Sequence, residues 1–415
     1  MPLLVHFGAG AIGRSLVGTL FTQAGYDVLF IDADARIVQA LQERRGYRVV
    51  IKDALPPGST NTVAVSGVNA IAVQNAQAVA DAVANADLLG TSVGANVLPA
   101  VLRALAPGLA RRTRAVSILF CENLHGVANL ARATLTKELG SEFPLDERVG
   151  LVATSIGKMV PIMPATVRER DPLEVWGEAY NQIIADRQAF VGPLPNVPGL
   201  QLKDHFDAYV ARKLYVHNLG HSVCAYEGFL RGHALISDAM ADLIVAQATR
   251  AAMESTAAAL LKRHPDVWQA DEMAEHVADL LHRFGNRALG DTVHRVGRDL
   301  ARKLGPDDRL AGALRLVVET GGAAAPICDA IAAALHFAAP DERGKTFPPD
   351  DNVRAQVAAL GPRAFLERHA RLAAKDFSAE LERIDRRSCQ LSATHGCSAI
   401  QSPATQVFEG LSPKT

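Results

Sequence analysis

A run of glycines, Gly8-Ala9-Gly10-Ala11-Ile12-Gly13, separates two kinds of hydrophobic pattern near the start of this chain. Before it, Leu3–Phe7 is a short apolar stretch of strand length. After it, apolar residues recur with helical spacing to about Gln23. A second apolar stretch, Asp27–Asp32, ends on a carboxylate 19 residues beyond Gly13. Strand, glycine turn, helix and acid-ended strand form the context in which a bare glycine motif acquires meaning. A chain that begins this way is committed to a βαβ unit.

The spacing assigns each glycine a task. Gly8 permits a tight turn, Gly10 lets backbone approach a pyrophosphate, and Gly13 lets the helix pack on the strand. Ala11 and Ile12 open the helix, whose free amides and positive dipole end favour phosphate. Asp32 can accept hydrogen bonds from an adenosine ribose and repels a 2′-phosphate, so NAD is expected rather than NADP.

Further strand candidates lie at 49–51, 62–66, 87–93, 115–121 and 149–156, with helical stretches between several of them, including 97–109. Alternation of this kind predicts a mostly parallel, doubly wound sheet of Rossmann type. Residues 62–73 read as an inserted hairpin with Ser66-Gly67 near its turn. Two later strand ends should surround a bound nicotinamide: Gly90-Thr91-Ser92-Val93-Gly94 and Cys121-Glu122-Asn123. There Gly94 can pass close to a cofactor. Asn123 is either a turn former or a donor aimed at a reacting oxygen.

The turn formers of Gly192-Pro193-Leu194-Pro195-Asn196-Val197-Pro198-Gly199 mark an expected linker. Beyond them the chain reads as helix after helix. The expected division is a nucleotide-binding domain over 1–192, a mostly α-helical domain over 193–385 and a poorly ordered tail over 386–415. The length of 415 residues suits two domains.

A net charge of −1 gives no electrostatic grip on nucleic acid or an anionic membrane. No apolar run approaches the roughly 18 residues needed to span a bilayer. The first strand begins almost at Met1, and the five scattered cysteines make no disulfide framework. A cytoplasmic monomer or dimer acting on a small molecule is expected.

In the helical half, Lys213-Leu214-Tyr215-Val216-His217-Asn218-Leu219-Gly220-His221 is the most informative stretch. At about 100° per residue, taking Lys213 as zero, His217 lies near 40°, His221 near 80° and Asn218 near 140°. One face thus carries an amine, an amide and an imidazole. Gly220 falls beside Lys213, where a missing side chain would let a substrate approach. Alcohol oxidation to a carbonyl needs a proton acceptor beside the hydride acceptor. Lys213 can serve if burial lowers its pKa. Asn218 and Asn123 can steady the alkoxide without a metal, and His221 can hold a neighbouring hydroxyl. A solvated lysine, a turn-capping asparagine and core histidines account for the same residues when this helix is taken alone. His217 and His221 also resemble a metal pair, but the HExxH arrangement and a third ligand are missing, and no metal is expected. Arg295 and Lys303, in Arg-Val-Gly-Arg-Asp-Leu-Ala-Arg-Lys-Leu, are either phosphate-gripping cations or a solvated helix face.

The chain resembles the polyol-specific long-chain dehydrogenases, the mannitol dehydrogenase family. The marks are HFGAGAIGR at 6–14, VSGVNAI at 65–71, CEN at 121–123, DPLEV at 171–175 and LPNVPGLQL at 194–202. RKLYVHNLGH at 212–221, RVGRDLARKL at 295–304 and AIAAALHF at 330–337 complete them. The resemblance implies metal-independent, NAD-linked interconversion of a polyol and a ketose, with or without phosphate. It implies Lys213 as general acid/base, Asn123 and Asn218 as the oxyanion pair and His221 as a substrate-binding residue. Arg295 and Lys303 match substrate contacts, and in the sugar-phosphate branch contacts to the phosphate. Mannitol 1-phosphate and fructose 6-phosphate are the expected pair, with a free polyol or hexuronate as substrate, or an NAD-binding sensor with degraded chemistry, as the alternatives. Where the family usually has Asp-Arg, this chain has Gly157-Lys158, so that Lys158 keeps a charge for substrate but loses the planar fork. Asn286-Arg287 replaces the usual Asn-Pro, and the acid common just before the lysine is replaced around Val210-Ala211.

Overall fold

The structure, a computed structural model, describes residues 1–53 and 61–395. It divides into two units, Met1–Tyr209 and Val210–Thr415, with the division inside the helix Phe206–Arg212. The first unit contains β1 (Leu3–Phe7), β2 (Asp27–Asp32), β3 (Gly46–Ile51), β4 (Thr62–Ser66), β5 (Val68–Ala72) and β6 (Leu88–Thr91). It continues with β7 (Val116–Phe120), β8 (Val149–Ser155), β9 (Val175–Gly177), β10 (Ile183–Asp186) and β11 (Leu200–Lys203).

Eight of these form one sheet in the order β11-β10-β8-β7-β6-β1-β2-β5. From β5 to β8 every pairing is parallel. The strand β10 runs antiparallel to β8, and β11 parallel to β10. All residues of β6 and β7 are buried, as an unbroken apolar run requires when both faces of a parallel sheet are covered. One face packs on Leu16, Val17, Leu20 and Phe21 of the first helix. The other carries Val79 and Val83, Leu102 and Leu105, and Ala131 and Leu135 from three later helices. This is the doubly wound Rossmann-type sheet expected. Chain order runs outward in both directions from the β1–β6 boundary, and ligands in such sheets bind outside the strand ends at that switch point.

Three expectations about the chain's course differ from the structure. Residues 62–73 are not a hairpin. The strand β4 pairs antiparallel with β3 in a separate three-stranded sheet, whereas β5 crosses to the edge of the large sheet beside β2. Gly67, at φ +75°, makes the bend between them. The turn-rich segment 192–199 is a loop inside the first unit, because β11 follows it and pairs with β10. Residues 386–395 continue the helix Ala374–His395 instead of opening a tail. Cys389 is exposed on that helix, and Cys397 lies outside the described residues.

The second unit is helical throughout its described length, with one isolated bridge between Leu235 and Thr292. Its helix Leu219–Leu230 is the most enclosed, burying nine side-chain positions among the surrounding helices. Among the described residues, no helix is long and apolar enough to cross a membrane.

Candidate active site

At the carboxyl ends of β1, β2 and β6 the backbone is drawn tightly together. Gly8 has φ +99°, and a Cβ there would lie 2.7 Å from the Ser92 carbonyl oxygen. A Cβ on Gly13 would lie 2.0 Å from the Gly8 carbonyl oxygen. Both positions therefore need glycine. Beside Gly10 there is open space, with no atom within 4 Å of a built Cβ. The turn at Gly10 and Ala11 is exposed, Ile12 is half-buried, and the helix begins at Ala11. Gly94, at φ +86°, likewise has nothing near it.

Side chains fix this arrangement from below. The Asp32 carboxylate accepts the Ala9 N–H at 2.6 Å and the Asp34 N–H at 2.9 Å, tying the end of β2 to the glycine turn. Each oxygen keeps lone-pair capacity for a further donor. Ser92 links β6 to β1: its hydroxyl meets His6 Nε2 at 2.8 Å and donates to the Gly8 carbonyl at 3.2 Å. Burial pushes the His6 imidazole down to about 3, so it is neutral. Buried Arg14 backs the turn, donating from Nε to the Ala9 carbonyl and from Nη1 to the Pro172 carbonyl. An exposed turn with free space, ringed by fixed amides and one acceptor carboxylate, fits a dinucleotide.

Sequence reasoning singled out neither Ser92 nor Glu122. Buried Glu122 accepts the Thr91 hydroxyl at 2.7 Å and the Val93 N–H at 2.9 Å, clamping the ends of β6 and β7 together. Burial raises its pKa. Asn123 follows it, exposed at the end of β7. Glu122→Ala strands the buried Thr91 hydroxyl and the half-buried Val93 amide, and is expected to cost about 1–3 kcal/mol in urea denaturation. Glu122→Gln keeps an acceptor for Val93 and should lose less than half of that.

The second unit gathers the remaining candidates. Lys213 to Asn218 is a wide helical turn in which the Leu219 N–H donates to the Leu214 carbonyl, five residues back. The segment Gly13–Gly18 after the glycine turn is wide in the same way. Such turns are rare and concentrate at functional sites. The widening means that an ideal helical wheel misplaces side chains here. Gly220 shows the error: a Cβ there would lie 2.3 Å from Met253 Sδ, so its missing side chain admits a methionine of the helix Leu243–Arg263, not a substrate.

His221 lies flat against Phe284, with ring centroids 4.8 Å apart. Its Nε2 is sealed from solvent, makes no hydrogen bond and stands 3.5 Å from Asp291 Oδ2. Burial pushes the imidazole down to about 4 against the pull of Asp291, so it is neutral and offers a ligand one donor or one acceptor. Buried Asp291 is forked by Arg295, whose Nε and Nη2 donate at 2.6 and 2.5 Å. Lys303 is buried and donates to the Val296 carbonyl. Burial, with Arg309 and Arg302 nearby, drives its pKa far down. Lys213 is half-buried, and desolvation together with the Arg309 guanidinium brings its ammonium down to about 8. Arg309 therefore acts on Lys213, His221 and Lys303 together. Neither Arg309 nor Asp291 was foreseen from sequence. Among the described residues, no group of His, Cys, Asp and Glu could hold a metal.

The family model for the mannitol dehydrogenase Rossmann domain matches residues 2–199, and that for the mannitol dehydrogenase C-terminal domain matches 205–392. This chain belongs to the mannitol dehydrogenase family. Pseudomonas fluorescens mannitol 2-dehydrogenase, solved as a ternary complex with NAD and D-mannitol, is similar to it at 16% identity and TM-score 0.72. That match covers 95% of this chain and 92% of the other. A substrate-free D-sorbitol dehydrogenase is similar at 15% identity and TM-score 0.78, covering 94% and 93%. At these identities the solved structures establish a shared fold.

Two departures from the family pattern now have locations. Lys158 was expected among the substrate contacts, yet its ammonium donates to the Glu178 and Tyr180 carbonyls at 2.7 and 2.8 Å and to Asn181 Oδ1 at 3.3 Å. Three donors with three acceptors make it an internal tie of the first unit. Arg287 is exposed and pairs with Asp238, while Asn286 caps the short turn that follows it.

Proposed function

We propose that this member of the mannitol dehydrogenase family is an NAD-dependent dehydrogenase that interconverts mannitol 1-phosphate and fructose 6-phosphate. The observation that carries the dehydrogenase reading is the segment 213–221, which holds an amine moved to about pH 8, an amide and a sealed neutral imidazole beside a buried carboxylate, Asp291, that pairs with exposed Arg295. The fit of the glycine turn and Asp32 to a dinucleotide supports NAD, as does the NAD complex of the similar mannitol 2-dehydrogenase.

When bound, NAD supplies the hydride-accepting chemistry. Lys213 takes the hydroxyl proton during oxidation and returns it during reduction. Asn218 and Asn123 donate to the developing alkoxide, stabilising charge where it appears. His221 orients a neighbouring hydroxyl, with Phe284 fixing its ring plane. Arg295 and Lys303 serve the phosphate end, and Arg309 keeps the Lys213 amine easy to deprotonate.

A second reading within the family is a dehydrogenase of free polyols or hexuronates. It is favoured by the internal engagement of Lys303 with Val296 and of Arg295 with Asp291, and by the free polyol in the mannitol 2-dehydrogenase complex. Purified protein given NADH and, in turn, fructose 6-phosphate, fructose, tagaturonate and fructuronate decides between them. Preference for fructose 6-phosphate supports the sugar-phosphate reading, and equal or better turnover of fructose or a uronate rejects it. NAD binding without turnover of any of these, or of any sugar alcohol, rejects the dehydrogenase assignment. Arg295→Lys keeps the charge but loses the fork. It is expected to raise KM for fructose 6-phosphate about tenfold, with a smaller effect on any turnover of fructose.

A further inference from the structure

A cavity of about 190 Å³ lies within the first unit, between the first helix, the three-stranded sheet and the loop that carries Lys158. Its polar wall includes Ser15, Lys158, Glu178 and Asn181, and its apolar wall includes Val49 and Val63. The volume is several times that required for a single water and below the usual range for drug-sized ligands.

Ser15 is the informative residue. It is 1% exposed, and its Oγ makes no hydrogen bond. A buried hydroxyl without a partner costs free energy comparable to a lost hydrogen bond, and this one borders an open volume. The charges of that polar wall are already matched. Lys158 meets three acceptors, and Glu178 Oε1 accepts the Met159 N–H. One ammonium and one carboxylate leave the wall without net charge. A charged ligand would have to shed its water with no uncommitted ammonium to receive it. A neutral molecule with several hydroxyls matches both the unpaired Ser15 Oγ and the amide of Asn181, while its carbons meet Val49 and Val63.

The departure of this chain from the usual Asp-Arg pair bears on the cavity. Lys158 is slimmer than an arginine at its end, and its Cε would lie 3.1 Å from a Cβ on Gly177. A wider guanidinium would have less room in that wall.

We infer that this cavity, lined by residues of the first unit, is a binding site for a small neutral polyhydroxylated molecule anchored by the Ser15 hydroxyl. The probe is erythritol, a neutral four-carbon tetrol, titrated against the full-length protein with saturation-transfer NMR. Saturable binding is expected in the wild type. Ser15→Val, which removes the hydroxyl and adds bulk, and Val63→Phe, which fills the cavity from the sheet side, should each weaken it roughly tenfold or more. Circular dichroism melting reports whether each variant is folded, and either folded variant suffices. Absence of saturable binding in the wild type overturns the inference, as does binding unchanged in a folded filled variant, which would put the tetrol elsewhere. A crystal soaked in erythritol decides the matter without variants. Density for the tetrol within hydrogen-bond reach of Ser15 Oγ supports the site, and ordered water alone in the cavity overturns it.

Discussion

Lys213→Ala is expected to lower kcat by about a hundredfold or more, the scale of a lost general base, with NAD affinity kept. The dinucleotide turn belongs to residues 8–32, far from this helix in the chain, and is held by Asp32, Arg14 and Ser92. A loss of less than roughly tenfold would remove Lys213 from the proton path. Unfolding is not an adequate alternative account of a large loss. A half-buried ammonium whose pKa is depressed to about 8 is held in an unfavourable state below that pH. Replacing it with the uncharged Lys213→Met should therefore leave the melting temperature at neutral pH unchanged or raised, while activity falls as in the alanine variant.

The same depression sets a pH dependence. The amine is the base for oxidation, so kcat/KM for the alcohol should rise with pH and level off above about 8. The ammonium is the acid for reduction, so turnover of the ketose should fall through that range. Stability follows its own sign. Between about 8 and the ordinary lysine value of 10.5 the unfolded chain binds more protons than the folded one. Lys213 therefore makes stability rise with pH across that window, and below it the full penalty persists. Removing Arg309, the cation that helps lower this pKa, should move the activity midpoint upward. An unchanged midpoint in Arg309→Met would show that burial alone sets it.

What could be read from the chain, and what could not, divides along the range of the interactions involved. The strand–turn–helix at the start was legible because each glycine answers a local demand, and the β1–β2 pair and Asp32 follow within one βαβ unit. The partner of β5 was not legible. Residues 62–72 alternate like a hairpin, but β5 gains more by joining β2 at the edge of the large sheet than by pairing back on β4, and no local pattern encodes that choice. The strands β9, β10 and β11 have only three or four residues each and hide among turn formers. In the second unit the chemical types at 213–221 were legible, but their geometry was not. The wheel assumed ideal turns, where the helix widens, and it treated Gly220 as an opening because Met253 contacts it from more than thirty residues away. Asp291 and Arg309 escaped notice for a related reason: each is a single charged residue whose importance comes only from the groups that fold around it.

Gly10→Ala and Gly13→Ala should separate binding from folding at the dinucleotide turn. A methyl on Gly10 meets no protein atom within 4 Å, and its φ is not in the left-handed region. Alanine there costs the folded chain nothing in contacts and slightly restricts the unfolded one. Thermal stability should be unchanged or marginally improved. The methyl nevertheless occupies the space through which a pyrophosphate must approach the helix amides, so NAD affinity should fall at least tenfold. A methyl on Gly13 is different, because it would sit 2.0 Å from the Gly8 carbonyl oxygen and 3.0 Å from Ser92 Oγ. Backbone cannot yield as a flexible side chain can. The helix start must move away from β1, straining the contacts that Leu16 and Val17 make in the core. Overpacking of this kind costs about 1–3 kcal/mol, so Gly13→Ala should lose both stability and NAD binding. Calorimetric titration with NAD and thermal melts of the two variants provide the comparison. If Gly10→Ala bound NAD like the wild type, the open space beside Gly10 would not be where the phosphates lie, and the turn would be structural alone.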